Sequence, residues 1–371
     1  MKIAYVIPSL AIWGGIERIV TDKANWLSAH GHEVLIVTTD QGTHVPPYQL
    51  GTQVTLADLG ICFHHQYRYS GVRRLWDVLM RQCLFRQKLK ELLNREHPDI
   101  LVCTTAHYVG SIVRLKGSTP LVVESHSVCK RMVDTGRMLL FRRWLKRSQL
   151  QHADVLVALT EEDATQWRRY VHHVEVIPNF VCESDKQASA QLKQHRAIFV
   201  GRLDEQKQPD HVLKAWDLVH RQFPDWQLVI YGDGSLLEQT KKQAADLGDS
   251  VKVFAPTDKI DEAYRQSSLL VLSSSFEPFG LVMIEAMMCG VPVVAYDCDY
   301  GPRTVINDGQ DGLLAAQDSI EALAERMAML MGDETLRRKM GRQARISATR
   351  FTACNVMPMW EKLFLSLLPV P

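Results

Sequence analysis

Residues 269–295 read LLVLSSSFEPFGLVMIEAMMCGVPVVA. An apolar run from Leu269 to Leu272 breaks at Ser273, Ser274 and Ser275, and Glu277-Pro278-Phe279-Gly280 follows. A helical pattern then continues to Met288, Cys289-Gly290 ends it, and residues 291–295 form a second apolar run. Strand, loop, helix and strand in that order form a unit of a parallel sheet, where ligands sit beyond the carboxyl ends of the strands. Gly280 lets a ligand approach the backbone where the helix starts. The free N–H groups there, with the helix dipole, suit a phosphate. Glu277 lies in the loop and Glu285 on the first turns of the helix. Two carboxylates beside an anion site are costly unless they accept hydrogen bonds, as from ribose and sugar hydroxyls.

Outward from this unit the same alternation continues in both directions. Towards the N-terminus, the pattern predicts strands at 197–200, 227–231 and 251–254, with helices at 209–222, 236–247 and 261–267 between them. Gly312-Leu313-Leu314 and further helices follow the unit. The first half begins with a strand at 3–7, a glycine-containing loop, a helix at 16–30 stopped by Gly31, and a strand at 33–38. Strands at 100–103, 121–124, 155–158 and 174–176 and helices at 72–96 and 137–151 complete that half. Residues 182–195 are polar with no apolar period and are expected to be a linker with a helical fragment. The expected domains are therefore 1–180 and 196–354, with 355–371 as a C-terminal helix. A chain of 371 residues is too long for one ordinary core, which agrees with two domains.

Composition narrows the class. The chain is 46% hydrophobic and 23% charged, and no apolar run approaches the length of a membrane span. The N-terminal Met1-Lys2-Ile3-Ala4-Tyr5-Val6-Ile7 is too short and strand-like for a signal peptide, and eight scattered cysteines show no Cys-x-x-Cys spacing. Both features lead to the expectation of a reduced, cytoplasmic protein. The net charge of +1 conceals an asymmetry: residues 1–180 hold 22 Lys and Arg against 16 Asp and Glu, and the remainder 21 against 26. Nucleic acid is not an expected partner, since no recognised motif accompanies the modest charge.

Glu277 and Glu285, with seven residues between them within FEPFGLVMIEAMMCGVPVV, resemble the paired-glutamate signature of the retaining, nucleotide-sugar-dependent glycosyltransferases of family 4. The Phe279-Gly280 pair and the Gly290-Val291-Pro292-Val293-Val294 ending are usual in that family. The resemblance covers nearly the whole chain and is strongest from Phe199 to Leu314. It implies a GT-B fold, with two doubly wound Rossmann-like domains facing each other across a cleft. The second domain would hold a nucleoside-diphosphate sugar, UDP- or GDP-linked. The first would hold the acceptor, a growing glycan resembling a lipid-linked surface polysaccharide or lipopolysaccharide precursor. On this resemblance Glu277 is catalytic, and Phe279, Gly280, Leu281, Val282 and Glu285 contact the donor. No metal and no cofactor are expected.

Other positions join the resemblance. Gly201-Arg202-Leu203-Asp204-Glu205-Gln206-Lys207 is similar to the family segment whose Arg and Lys grip a diphosphate, which suits a guanidinium fork and an ammonium point charge. Gln208 stands where the family commonly has glycine, which puts the loop's shape in doubt. Trp13-Gly14-Gly15-Ile16-Glu17 is similar to the family's Gly-Gly-x-Glu loop, and Gly14 and Gly15 permit backbone approach or simply a tight turn. His126, after the strand at 121–124, stands where the family directs a histidine at the donor sugar, and a structural role is the plainer alternative. Gly232 resembles a glycine near the nucleotide, though a strand-end turn accounts for it too, and Phe254 lies where the family contacts the base. The family implies front-face displacement, with Arg202, Lys207 and the Gly280 helix stabilising the leaving diphosphate. Asp297-Cys298-Asp299 has the spacing of a metal motif from a different fold and is not taken as a metal site. Its continuation, Tyr300-Gly301-Pro302, resembles a family loop in which Thr304 replaces a common glutamate.

Two stretches, 72–96 and 130–147, interleave Arg and Lys with Leu, Trp and Phe. Each is either a helix with its apolar face in the core or a basic amphipathic surface for an anionic membrane, which would make the protein peripheral on the inner face of the plasma membrane. A sugar-nucleotide epimerase or hydrolase on the same fold would need an added acid–base pair, and none is evident. A non-catalytic binding or scaffold protein tends to lose the phosphate grip or the glutamates, and all of these are present.

Overall fold

A computed structural model describes residues 1–130, 148–182 and 189–369. The chain divides into two units, Met1–Pro178 with Val356–Pro371, and Asn179–Asn355. Each is a parallel sheet with helices between most successive strands.

Unit 1 contains strands β1 (Lys2–Ile7), β2 (Glu33–Thr38), β3 (Val54–Asp58), β4 (Ile100–Cys103), β5 (Leu121–Glu124), β6 (Val155–Ala158) and β7 (Val174–Val176). They lie in the order β3-β2-β1-β4-β5-β6-β7. The central strands are apolar on both faces because helices cover both, which is why they read as unbroken hydrophobic runs. Helix Gly15–Ala29 buries Ile19, Val20, Lys23, Ala24 and Leu27 and ends before Gly31, whose φ of 84° suits glycine. The last helix, Ala353–Leu367, buries Val356, Met357, Trp360, Leu363 and Phe364. From Val356 onward it belongs to unit 1.

Unit 2 contains β8 (Arg196–Val200), β9 (Gln227–Tyr231), β10 (Val251–Phe254), β11 (Leu269–Leu272), β12 (Val293–Tyr296) and β13 (Gly312–Ala315). The order is β10-β9-β8-β11-β12-β13. In both sheets strand order reverses beside the first strand, at β1/β4 and at β8/β11. In open parallel sheets such a point, at the carboxyl ends of the strands, is where ligands bind.

Several short or edge elements were not expected from the sequence, among them a strand and two helices of unit 1. Strand β3 is a half-buried edge with mixed polarity. Helices Ala106–Ile112 and Glu161–Trp167 are two turns long, too short for a period to emerge. The second is capped by Thr160, whose Oγ accepts from the Asp163 N–H at 3.2 Å, a signal visible in Thr160-Glu161-Glu162-Asp163. The second apolar run of the opening stretch forms its strand at Val293–Tyr296, starting after Pro292, which has no N–H for a ladder. The helical fragment expected in 182–195 is absent over 189–195, where Leu192 at φ 55° offers its carbonyl to the buried Arg337 guanidinium at 3.2 and 3.3 Å. Residues 183–188 lie outside the described residues, as does most of the basic stretch 130–147 with the helix expected at 137–151.

Candidate active site

The topology of unit 2 brings the loop after β8 against the loop after β11. The Asp204 carboxylate shapes the first loop by accepting from the N–H groups of Gln206 and Lys207, both at 3.1 Å. Hydrogen bonds join the two loops: Ser275 N–H donates to the Gln206 carbonyl at 2.8 Å, and the Gln206 side-chain Nε2 donates to the Phe276 carbonyl at 3.2 Å. Ser273 Oγ lies 2.8 and 2.7 Å from the Lys207 and Gln208 carbonyls and fixes the end of the first loop on the start of the second. The result is a direct ion pair between Lys207 Nζ and Glu277 Oε2. Ser274 Oγ donates to the same carboxylate oxygen at 3.2 Å.

Gln208 occupies the left-handed region at φ 45°, which shows why a glycine is at home there. Its side chain donates to Asp318 Oδ1 at 3.1 Å, and Lys207 keeps its place despite the substitution. Arg202 is exposed, with Asp204 Oδ2 at 3.2 Å and Gln206 Oε1 at 3.0 Å from its guanidinium.

Helix Leu281–Met288 starts from Gly280 at φ 92°, ψ 66°. A Cβ on Gly280 would sit 2.2 Å from Met283 Cε, the movable end of a flexible side chain, and 3.1 Å from Glu277 Cγ, so it is the backbone conformation above all that requires glycine. The first bond of that turn runs from Met283 N–H to the Gly280 carbonyl at 3.0 Å. The N–H groups of Leu281 and Val282 precede it and lie at the positive end of the helix dipole. Glu285 is buried one turn on and accepts from the Tyr264 hydroxyl at 3.1 Å. Glu277 is held from a third side by its carbonyl, which accepts from Gly301 N–H at 2.8 Å. Two cations, a helix N-terminus and two buried carboxylates thus gather at one switch point. Burial pushes the neighbouring Cys298 thiol up to about 12, so no thiolate nucleophile competes there.

In unit 1, Gly14 is the N-cap of helix Gly15–Ala29, and Glu17 Oε2 lies 2.0 Å from where a Cβ on Gly14 would be. His126 follows β5, nearly buried, with its Nε2 2.8 Å from Glu124 Oε2.

Residues 13–184 match the family model described as Glycosyltransferase Family 4, and residues 182–347 match that described as Glycosyl transferases group 1. The chain belongs to the family 4 glycosyltransferases. It is 32% identical to an exopolysaccharide phosphotransferase of Streptomyces coelicolor over 99% of this chain, but spans only 41% of that protein. It is 27% identical to an α-1,4-N-acetyl-D-galactosaminyltransferase of Campylobacter jejuni that acts on an undecaprenol-diphosphate-linked glycan, over 98% of each. The fold is GT-B. TarM of Staphylococcus aureus, solved with fondaparinux, α-GlcNAc-glycerol and UDP, superposes with a TM-score of 0.80 at 16% identity, covering 98% of this chain and 99% of that one.

Within this glycosyltransferase, not every expected site residue is placed to meet a ligand through its side chain. Phe279 is buried edge-on against Phe351, centroids 5.4 Å apart, so any donor contact falls to its backbone. Gly232 is required by packing, since a Cβ there would lie 2.1 Å from the Gly201 carbonyl oxygen. A Cβ at Gly201 would make only ordinary contact with the Lys207 stem, at 3.6–3.7 Å, so packing does not require glycine there. Phe254 is partly exposed and stacked on Tyr231 at 5.1 Å, which presents an aromatic surface at the carboxyl end of β10. Asp297 accepts from Arg303 Nε at 2.6 Å. The sequence reading passed over Asp204, Gln206, Ser273, Ser274 and Tyr264. The serine run was the visible signal, but its partners lie some seventy residues away in sequence.

Proposed function

We propose that the protein transfers a sugar, with retention, from a nucleoside-diphosphate sugar to a hydroxyl of a bacterial surface glycan, the acceptor being lipid-linked. The observation that carries this is the pairing of Lys207 with Glu277 beside the Gly280 helix N-terminus. In the free enzyme Glu277 neutralises the ammonium. A diphosphate offers Lys207 a second anion, with the Leu281 and Val282 N–H groups and the Arg202 fork as further donors. Glu285 takes ribose hydroxyls and Glu277 a hydroxyl of the sugar. Charge developing on the leaving diphosphate is met by Arg202, Lys207 and the helix dipole, which is electrostatic catalysis needing no enzyme base and, on this reading, no metal. Within unit 1, His126 and the Gly14-Gly15 loop are assigned to substrate contact.

A panel of UDP-glucose, UDP-N-acetylgalactosamine, GDP-mannose and ADP-glucose tests the donor. One base class should raise the melting temperature and release sugar slowly, with the released anomer retained by NMR. No shift with any of them would sink the reading, and turnover abolished by EDTA and restored by Mn²⁺ would sink its metal-free form.

The acceptor half of the proposal places the protein on an anionic membrane. In helix Gly71–Glu96 the residues Val72, Leu75, Trp76, Leu79 and Met80 are exposed on one face, and burial starts only at Phe85. Arg73 and Arg74 flank them, held over the Tyr69 and Tyr67 rings at 4.4 and 5.0 Å. Apolar insertion with cations at the headgroup level fits an interfacial helix. Among the described residues no helix is long and apolar enough to cross a membrane. Co-sedimentation with phosphatidylglycerol vesicles should be lost in a Trp76→Ser, Leu79→Ser variant, and equal binding by that variant would remove the helix from the proposal.

A further inference from the structure

The buried Lys23–Glu124 pair of unit 1 is not used by the chemistry proposed above. Lys23 Nζ lies 2.9 Å from Glu124 Oε2, and His126 Nε2 lies 2.8 Å from the same oxygen. The three side chains are 1%, 2% and 4% exposed. The Lys23 ammonium also sits 3.7 Å from the centroid of the Trp360 ring, which comes from helix Ala353–Leu367. Tyr5, fully buried in β1, and Cys103, at the end of β4, complete the surroundings.

Such a cluster is a poor way to gain stability. Two charges withdrawn from water recover little more than their desolvation cost, and apolar pairs of similar volume commonly do as well. What the cluster does achieve is geometric. Glu124 is the last residue of β5 and His126 stands two residues beyond it. The intervening Ser125 is fixed by its N–H to the Val157 carbonyl at 2.9 Å, and Trp167 Nε1 donates to its hydroxyl at 3.2 Å. The backbone carrying the ring is therefore immobilised, and the carboxylate fixes the ring itself.

We infer that Glu124, held ionised by Lys23 under the Trp360 ring, is a positioning residue that sets the orientation and tautomer of His126. An ionised carboxylate only accepts, so the hydrogen must be on Nε2, and Nδ1 keeps the lone pair in the neutral ring. Among the described residues Nδ1 has no hydrogen-bond partner, and it is the nitrogen left for a substrate hydroxyl. Without Lys23, burial would protonate Glu124, which could then donate, and the tautomer would no longer be set. Burial is the largest influence on that carboxyl and pushes it up, but the Lys23 charge and the His126 contact together hold it down at about 2. The C-terminal helix enters the arrangement through Trp360, whose ring covers the ammonium with its negative face.

The inference rests on the proposed role of His126 in transfer, and its test separates the two. A Lys23→Met, Glu124→Gln variant removes both charges with little change of shape. Its Gln can accept or donate, so the ¹⁵N spectrum of the His126 ring should change from a single Nε2–H tautomer to a mixture. With the nucleotide-sugar panel, kcat should fall about tenfold with KM within twofold, a split typical of lost transition-state contacts. The same pair of changes in a His126→Ala background should cost nothing further. An unchanged ring spectrum, or an equal additional loss in the His126→Ala background, overturns the inference. If His126→Ala alone transfers at the wild-type rate, the role of His126 falls, and the ring spectrum still decides whether Glu124 sets its tautomer. Should the double variant not fold, Trp360→Leu replaces it. That change keeps the ion pair, and its loss of kcat should likewise vanish without His126.

Discussion

Lys207 and Glu277 pair in unit 2, and Lys23 and Glu124 pair in unit 1. Both lie at the carboxyl ends of parallel strands, yet they are anchored differently. The first pair is carried by two loops, keeps about a tenth of each side chain in solvent, and adjoins a helix N-terminus. The second joins a helix to a strand, is sealed from water, and has an aromatic ring over its cation. A lysine on a loop at an opening can exchange its carboxylate for a phosphate. A sealed lysine has no partner to exchange with and can only hold its carboxylate in place. The difference separates a pair that binds from a pair that positions, although both read as Lys and Glu in the sequence.

The largest effects should divide along that line. Lys23→Ala leaves Glu124 buried without its counter-charge and should destabilise the protein by about 3–5 kcal/mol in denaturant melts. Lys207→Ala should cut turnover by a factor on the order of 100 and cost less stability than Lys23→Ala, because water still reaches about a tenth of the Glu277 side chain that it leaves unpaired. If both variants lose stability equally, the contrast between the pairs is false.

Acid sharpens it next. The Glu124 carboxyl is held below its ordinary 4.5, at about 2. A depressed carboxyl contributes stability that is full above pH 4.5 and is lost as pH falls towards 2, up to about 3 kcal/mol. Burial lowers the Lys23 ammonium from its ordinary value, the opposite of what its partner's gain suggests. That cost is constant while Lys23 stays protonated, so it does not alter the acid slope. Melts between pH 5 and pH 2.5 should be flatter for the Lys23→Met, Glu124→Gln variant than for the wild type, and parallel curves would refute the assignment.

Glu285→Ala should weaken nucleotide-sugar binding by about tenfold, the equivalent of 1.4 kcal/mol, measured by calorimetry. The smallest effect belongs to Gln208→Gly. Relief of left-handed strain is worth about 1 kcal/mol and is largely offset by greater freedom of the unfolded chain. Melting temperature and turnover should both stay close to wild type, whereas a marked loss would assign the Gln208–Asp318 bond a role in holding Lys207.

Much of the fold was legible in advance. Strands β2, β4, β5, β6, β9 and β11 fall on the residues where apolar runs placed them, since a strand covered on both faces is apolar nearly throughout, and the half-exposed edge strand β10 also falls where it was expected. Glycines 31 and 280 mark helix boundaries because their backbones lie at φ 84° and 92°. The edge strand β3 and the two-turn helices carried no comparable period. At the candidate site, Lys207, Glu277 and Glu285 were singled out by the resemblance of their glycine-bearing segments to those of the family. The apolar face of helix Gly71–Glu96 was not, because its spacing serves a core and an exposed surface equally well, and only packing shows that burial begins at Phe85.

By itself the sequence determined what is local: the alternation of strand and helix, the turns that need glycine, and the loops that leave strand ends. These follow from side-chain period and backbone sterics within a few residues. Tertiary structure alone decided which of those loops meet. The neighbours of β8 and β11 are set by the strand order of the whole sheet, and that order brought Lys207 to Glu277 across 70 residues and Lys23 to Glu124 across 101. Whether a lysine faces solvent or a tryptophan ring depends on what packs over it. No spacing in the chain encodes that, because the covering residue, Trp360, comes from its far end.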